Sequence, residues 1–396
     1  MIVAERFAGL PDYPFPRLRA LLGQKAGEAL PEGAIDLSIG EPRHGVPEFL
    51  ARALSADFAA YGRYPPNEGT PAFRRAAAGW LARRYGLAPD FLDPDAAILP
   101  VNGTREALFL AAQLAARAET QPRPVVLLPN PFYQCYAAAA AAIGAEIHYV
   151  PATAETGFLP AFDRVAREVL DRAVAAYVCA PSNPQGAIAD LAYWRRLLAL
   201  AERHDFLLFA DECYAEIYDG APPTGVVEAC AGSPAALERV LAFHSLSKRS
   251  NLPGLRSGFV VGGEKIVTAF RVLRSYGGAP SPIPVLEAAT QAWSDEAHVV
   301  ANRTLYRAKI DVAERILGNR FAFRRPPGGF FLWLDVGDGE RAARDLWSKA
   351  KVKVLPGAYL ATEVDGVNPG APYIRVALVD SLKTTQDGLE RIAATL

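Results

Sequence analysis

From about residue 96 the chain alternates short, almost unbroken apolar runs with longer stretches in which apolar positions return every three or four residues. The runs AAILPV, PVVLL, EIHYV, VAAYVC, FLLFAD, VLAFHS and SGFVVG are nearly continuous in hydrophobicity. They predict strands buried on both sides, as in a mostly parallel sheet covered by helices. Between two of them, DLAYWRRLLALAERH sets Leu191, Trp194, Leu197, Leu198 and Ala201 at helical spacing, with Asp190 placed as an N-cap. The alternation predicts an α/β fold, with seven strands in the large sheet and helices on both faces. The alanine run 137–143 reads as a closely packed helix.

After Gly277 the pattern changes. A long helical stretch from about Pro282 to Leu317 is followed by FFLWLDV, VKVLP and YIRVAL, separated by helix-like segments. This predicts a smaller α+β domain over 281–396, hung on a long connecting helix beside a large domain over 41–280. Residues 1–40 hold one helix, starting near Pro16, and no sheet of their own, so they are expected to pack on the smaller domain. No segment repeats at a fixed period.

Length and charge narrow the function. At 396 residues the chain exceeds one ordinary core, since a domain takes ~150 residues. Its 42 Lys and Arg balance 43 Asp and Glu, a net charge of −1, which argues against a nucleic-acid partner and for a small-molecule one. No apolar stretch approaches the ~20 residues of a membrane helix, and the first residues lack a basic start, an apolar run and a cleavage site. A cytoplasmic protein without a membrane partner is expected. Cys135, Cys179, Cys213 and Cys230 match neither metal-binding nor disulfide spacing, so free thiols and no metal site are expected.

Three strand ends carry polar residues that a core does not tolerate without a reason: Asn183 after AAYVCAPS, Asp211 after FLLFA, and Ser245 to Lys248 after VLAFH. In open parallel sheets ligands bind beyond the carboxyl ends of strands, so these can share one site. A single polar residue there is commonly a turn former, and only their joint occurrence points to chemistry. A lysine near a cation and partly withdrawn from water loses its proton readily and attacks carbonyls, which makes Lys248 a candidate for imine formation. Ser245, Ser247 and Arg256 around it suit a phosphate, and the quick return of PGLRSGF to an apolar strand puts Arg256 at a buried edge.

A second anion signal is VNGTREALFLAAQLA, where Gly103, Thr104 and Arg105 open a helix whose first amides point outward. Asp211, buried under a sheet, needs a cationic partner, and a protonated pyridine nitrogen fits. That pairing is expected of pyridoxal 5′-phosphate, with Tyr214 and Asn183 directed to its ring oxygen and Tyr133 stacked on its face.

With these residues in place, the sequence resembles the class I aminotransferases, pyridoxal-phosphate enzymes of the aspartate-aminotransferase fold, from about residue 14 onward. The motifs are SLSKRSNLPGLRSG, NPQG at 183–186 and DECY at 211–214. The resemblance implies Lys248 as the imine link to the cofactor and proton shuttle, Asp211 on the pyridine nitrogen, and Asn183 and Tyr214 on the ring oxygen. It gives Ser245, Arg256 and the amides near Thr104 to the phosphate, and Tyr133 to the ring face. It implies a homodimer in which Tyr64 of YPPNEG reaches the phosphate of the neighbouring subunit. Arg375 of YIRVAL matches the arginine that holds the substrate α-carboxylate, and Gly40 of LSIGEP the loop that closes over it.

Within the class, PSNPQGA, WSDEAHV with NRTLYRAK, and VLPGAYLA with GVNPG are similar to succinyldiaminopimelate transaminases of bacterial lysine biosynthesis. That similarity implies exchange of an amino group between N-succinyl-LL-2,6-diaminopimelate and 2-oxoglutarate, giving glutamate. Where such enzymes carry a histidine, SYGGAPSP has Gly277 or Gly278. Both substrates bear an extra carboxylate, for which Arg43 is the expected cation. Neighbouring readings on this fold are transaminases for aspartate, aromatic or N-acetylated diamino acids, a carbon–sulfur lyase, and a non-catalytic domain of a transcription regulator. The last is disfavoured because only some 15 residues precede the match.

Overall fold

In the computed structural model, which describes residues 7–10, 12–116 and 123–396, all seven apolar runs form strands of a single sheet. Residues 1–6 and 11 of the expected N-terminal segment lie outside the described residues. The strand order is Ile98–Val101, Gly258–Gly262, Val240–Ser245, Leu207–Asp211, Ala173–Cys179, Val125–Asn130 and Glu146–Pro151. Neighbours run parallel except at Gly258–Gly262, which is antiparallel to both strands beside it. Burial on both faces holds for the inner strands. It fails for Glu146–Pro151, the sheet edge, where only Val150 is buried. With one side unpaired, EIHYV keeps a polar alternation that hydrophobicity alone understates.

Side chains alternate between two apolar layers, because successive strand residues point to opposite faces. Leu208 and Ala210 join Trp80, Trp194 and Phe259 on one face, while Phe209 joins Tyr136, Tyr177 and Phe243 on the other. The helix Leu191–His204 buries Trp194, Leu197, Leu198 and Ala201, and Asp190 caps it by accepting from the Tyr193 amide at 2.6 Å.

The stretch 282–317 is two helices, Ile283–Ser294 and Ala297–Leu317, rather than one. The Arg249 guanidinium takes the Ala292 carbonyl at 2.6 Å and the Glu296 carboxylate at 2.7 Å, occupying acceptors at the end of the first helix. Asp295, which ends the first helix, accepts from the His298 amide at 3.1 Å in the first turn of the second. Leu286, Ala289 and Trp293 of the first helix belong to the core beside Trp80, whereas Ile310, Ala313 and Leu317 of the second belong to the smaller core. The first helix thus packs with the large core and the second with the smaller one.

The smaller core forms around Phe331–Asp335, Leu355–Pro356 and Tyr373–Ala377, an antiparallel sheet in the order Leu355–Pro356, Tyr373–Ala377, Phe331–Asp335. VKVLP is split, since Val352–Lys353 pairs in parallel with Ile35–Asp36. The first helix spans Pro14–Leu21, and its Leu18 packs with Trp333, Leu355 and Tyr359 of the smaller unit.

Candidate active site

An open cavity of about 1240 Å3 lies beyond the carboxyl ends of the large sheet, between the two units. Strand Val240–Ser245 runs directly into the short helix Leu246–Arg249, and the Ser245 hydroxyl caps it by accepting from the Ser247 amide at 3.1 Å. This turn delivers Lys248 to the cavity, where its Nζ donates to the Gly40 carbonyl at 2.5 Å. Burial lowers the Lys248 pKa to about 8, and the positive charge of Arg375 adds to the effect. The amine is thus available as a nucleophile near neutral pH.

The anion cradle forms from two turns that approach each other. Gly103 caps helix Thr104–Ala111 with a φ of +80°, and a Cβ there would stand 2.1 Å from Arg256 Nη2, so only glycine lets the guanidinium lie across the helix start. Arg256 donates to the carbonyls of Asn102 at 3.1 Å and Pro253 at 2.9 Å. Arg256 is exposed, and the buried edge expected for it is not found: the chain takes a left-handed turn there, φ +53°, before Ser257 re-enters the core. The Ser245 and Ser247 hydroxyls lie 2.9 Å apart and line the cavity with Thr104, Arg105 and Arg256.

Across the cavity floor Asp211 is buried, and burial raises its pKa. Its Oδ2 accepts from the Tyr136 hydroxyl at 2.6 Å and its Oδ1 from the Cys213 amide at 3.2 Å. Tyr136 was missed by sequence reasoning because it opens the alanine helix Gln134–Ala142, which reads as plain packing. The available signal was its spacing of three from Tyr133, which puts both rings at one helix start, and the need of a buried phenol for a partner. Thr104 Oγ1 lies 2.9 Å from Cys213 Sγ, a second contact that no motif announced. Tyr133 lines the cavity, and its hydroxyl accepts from Arg105 Nε at 2.5 Å. Burial holds the Tyr214 phenol protonated, with its ring edge-on to Phe330 and Phe331.

Arg375 reaches the same space from the smaller unit. It donates to Asn183 Oδ1 at 2.9 Å and to the Ser38 carbonyl at 2.8 Å, and lies 4.3 Å from the Phe331 ring centre. Burial lowers its pKa to about 10, so it stays charged at neutral pH, and its buried Nε has no hydrogen-bond partner. A Cβ on Gly40 would fall 2.4 Å from the Phe331 ring, which lets only glycine bring this loop against it.

Two expected residues stand outside. Tyr64 is fully exposed and away from this chain's own cavity, and Arg43 points from the Gly40 loop to Asp380, 2.5 Å away. Gly277 does line the cavity.

The model of the family aminotransferase class I and II matches residues 32–392. This chain belongs to that family. It is 30% identical to an LL-diaminopimelate aminotransferase of Dehalococcoides mccartyi, over 99% of this chain and 98% of that one. Among solved structures, an aminotransferase from Neisseria meningitidis has a TM-score of 0.92 at 40% identity, covering 98% of each chain. A protein described as a probable N-succinyldiaminopimelate aminotransferase from Thermus thermophilus has a TM-score of 0.83 at 26% identity, covering 96% of this chain and 100% of that one.

The fold is thus that of the aspartate-aminotransferase-like enzymes, and the family depends on pyridoxal 5′-phosphate. The residues present fit that group. A buried carboxylate facing the cavity wants a cation, the Gly103 and Arg256 turns can seat an anion, a lysine with a lowered pKa lines the same cavity, and the buried Nε of Arg375 has no acceptor.

Proposed function

We propose that this aminotransferase moves the α-amino group of N-succinyl-LL-2,6-diaminopimelate to 2-oxoglutarate in two half-reactions at one site, with Lys248 as the cofactor lysine. Bound there, pyridoxal phosphate supplies the electron sink for a carbanion at substrate Cα. Asp211 would hold the ring nitrogen, Asn183 and Tyr214 the ring oxygen, and Tyr133 the ring face, all four lining the cavity. Ser245, Ser247, Arg256 and the amides from Gly103 to Arg105 take the phosphate. Arg375 grips the α-carboxylate as a two-pronged donor beneath the Gly40 loop, which turns the Cα–H toward Lys248. The Lys248 amine would take that proton and hold it for return, the part a general base of lowered pKa can play.

The observation that carries the substrate class is the set of cations. Among the described residues the cavity is lined by four, Arg105, Lys248, Arg256 and Arg375. Three of them already have roles, Arg43 is engaged with Asp380, and the Arg105 guanidinium remains for the second carboxylate that both substrates carry. The test is an amine panel: kcat/KM for N-succinyl-LL-diaminopimelate should exceed that for aspartate and aromatic amino acids. Arg105→Met should raise KM for the dicarboxylates about tenfold or more and leave alanine unaffected, the scale of losing one charge-assisted bond. Equal turnover of aspartate or aromatic substrates would defeat the reading.

A second reading, free LL-diaminopimelate as substrate, is favoured by the name of the Dehalococcoides relative. Its distal ammonium requires a carboxylate, and Glu106 lines the cavity beside Arg105, with one oxygen already accepting from Arg274 at 3.3 Å. The same panel separates the two amines.

We also infer a homodimer with shared sites. Tyr64, Phe58 and Tyr276 stand fully or largely exposed, the condition of a surface that a second copy covers. Sedimentation should give a dimer, and Tyr64→Phe should weaken cofactor retention in it.

A further inference from the structure

Behind Lys248 runs a polar chain, half-buried at His44 and buried at Asn302 and Lys309, to which the proposed reaction assigns no part. It lies where the Gly40 loop, helix Ala297–Leu317 and the end of strand Tyr373–Ala377 meet. His44 Nδ1 is 2.6 Å from Asn302 Oδ1, and its Nε2 is 2.6 Å from Lys309 Nζ. A carbonyl oxygen only accepts and an ammonium only donates, so the ring carries its proton on Nδ1 and offers Nε2 as a lone pair. Asn302 passes the connection on: its amide donates to the main-chain carbonyls of Lys248 at 3.4 Å and Arg249 at 3.3 Å. Lys309 also donates to the Leu378 carbonyl at 3.2 Å, which ties the chain to the smaller unit.

An aromatic pile closes the circuit. The His44 ring lies 4.4 Å from that of Tyr306, Tyr306 stacks on Phe330 at 5.2 Å, and Lys248 Nζ lies 5.5 Å from the Phe330 ring centre. Gly40, whose carbonyl accepts from the Lys248 amine, is on the same loop as His44. The network therefore touches Lys248 at its main chain and brackets its amine.

We propose that His44, bridging Asn302 and Lys309, is a positioning residue that fixes the Lys248 main chain against the Gly40 loop and so sets where the amine stands during proton transfer. The inference rests on the reading that Lys248 carries the cofactor.

The bridge works only with neutral His44. Burial lowers the His44 pKa, the bond to Asn302 opposes this, and the Lys309 charge lowers it further. Burial also brings Lys309 down to about 8, against the pull of Asp380. The other charged or titratable groups around the bridge are Tyr306 on the helix, the Arg43–Asp380 pair at the loop and strand end, and Glu41 and Lys248 on the cavity side. Protonating His44 removes the lone pair and sets a second cation beside Lys309, so the bridge opens in acid.

Two substitutions separate positioning from mere support. His44→Gln keeps an oxygen for Lys309 and an N–H for Asn302 with nothing to titrate, whereas His44→Leu keeps neither. Borohydride reduction of each holoenzyme, followed by peptide mass analysis, first reports whether Lys248 bears the cofactor. A wild-type adduct elsewhere overturns the lysine assignment and this inference with it, whereas an adduct on Lys248 leaves the bridge to be judged by the variants.

With the adduct in place, His44→Leu and Asn302→Leu should slow the saturating glutamate half-reaction about tenfold or more, with KM changed less than about twofold, the scale of a displaced catalytic group. They should also move the pH at which the lysine-bound cofactor's absorbance titrates in the resting enzyme. His44→Gln should keep the wild-type rate at pH 8 and lose the acid limb of the profile. Wild-type rate and absorbance titration in His44→Leu would overturn the proposal. So would a His44→Gln enzyme as slow as His44→Leu, or one that retains the acid limb.

Discussion

Asp211 and Glu212 are consecutive, both carboxylates, both buried, and both raised in pKa by that burial, yet they belong to different parts of the molecule. Strand alternation turns Asp211 to the face of Tyr136 and Phe209 and into the cavity, while Glu212 turns to the opposite face, toward Tyr85 and Trp80. Glu212 is satisfied by the protein itself: one oxygen accepts from the Tyr85 hydroxyl at 2.8 Å and the other from the Val226 amide at 2.7 Å. His244 stands 3.5 Å away, but burial lowers its pKa to about 3, so it is neutral and the contact is no ion pair. Asp211 accepts from the Tyr136 hydroxyl and the Cys213 amide and, unlike Glu212, lines the cavity, with no cationic side chain bonded to it among the described residues. Burial and a raised pKa therefore do not by themselves mark a catalytic carboxylate; an unanswered charge facing a cavity does.

The sharpest way to break this contrast is to neutralise each acid in turn. Asp211→Asn should cut turnover about a thousandfold, since removing one partner of a buried charge pair costs about 3–5 kcal/mol. Glu212→Gln should keep turnover within a few-fold. Steady-state kinetics on both variants decide it, and equal losses would erase the distinction.

The pair should differ in stability as well. Burial lifts Glu212 from 4.5 to about 7. A carboxyl raised in the folded state binds its proton more tightly there than in the unfolded chain, so its contribution is complete below the unfolded value and is lost as pH rises through about 7. Between pH 4.5 and 8 the wild type should lose about 3 kcal/mol relative to Glu212→Gln, from ~1.4 kcal/mol per pKa unit. Melting curves of the two proteins across that range measure it, and parallel curves would remove Glu212 from the account.

A smaller effect sharpens the Asp211 side. Tyr136→Phe removes the phenol that donates to Asp211 Oδ2 from behind. Losing a hydrogen bond to a charged group costs about 1.5–3 kcal/mol, so turnover should drop about ten- to a hundredfold. The pH at which the holoenzyme absorbance titrates should move with it, which a packing defect alone does not produce.

Much of this contrast was legible in the sequence. Asp211, Asn183 and Ser245 to Lys248 each follow an apolar run, which is what singled them out; that Glu212 turns to the other face is seen only in the structure. The seven strands were legible because burial on two faces erases polar alternation. What stayed hidden are contacts between residues far apart in the chain: Tyr136 to Asp211, Arg249 to Ala292, and His44 to Asn302 and Lys309. Such pairs leave no periodic trace. Arg256 and Glu146–Pro151 misled for a related reason: hydrophobic flanks predict a buried neighbourhood, while exposure there is set by a left-handed turn and a sheet edge.

The smallest expected effect tests a third carboxylate. Asp380 holds Arg43 at 2.5 Å, as close as any contact in the active site, but 39% of the Arg43 side chain and 23% of that of Asp380 are open to water. Water screens both charges, and such pairs contribute about 0.2–1 kcal/mol. Arg43→Ala should therefore shift stability by less than about 1 kcal/mol and leave KM for both dicarboxylic substrates unchanged, because its guanidinium is spent outside the cavity. A rise in KM for the acids alone would place Arg43 in substrate recognition and transfer to it the role proposed for Arg105. Distance is the same kind of number in all three acids, but solvent and open space decide what each distance is worth.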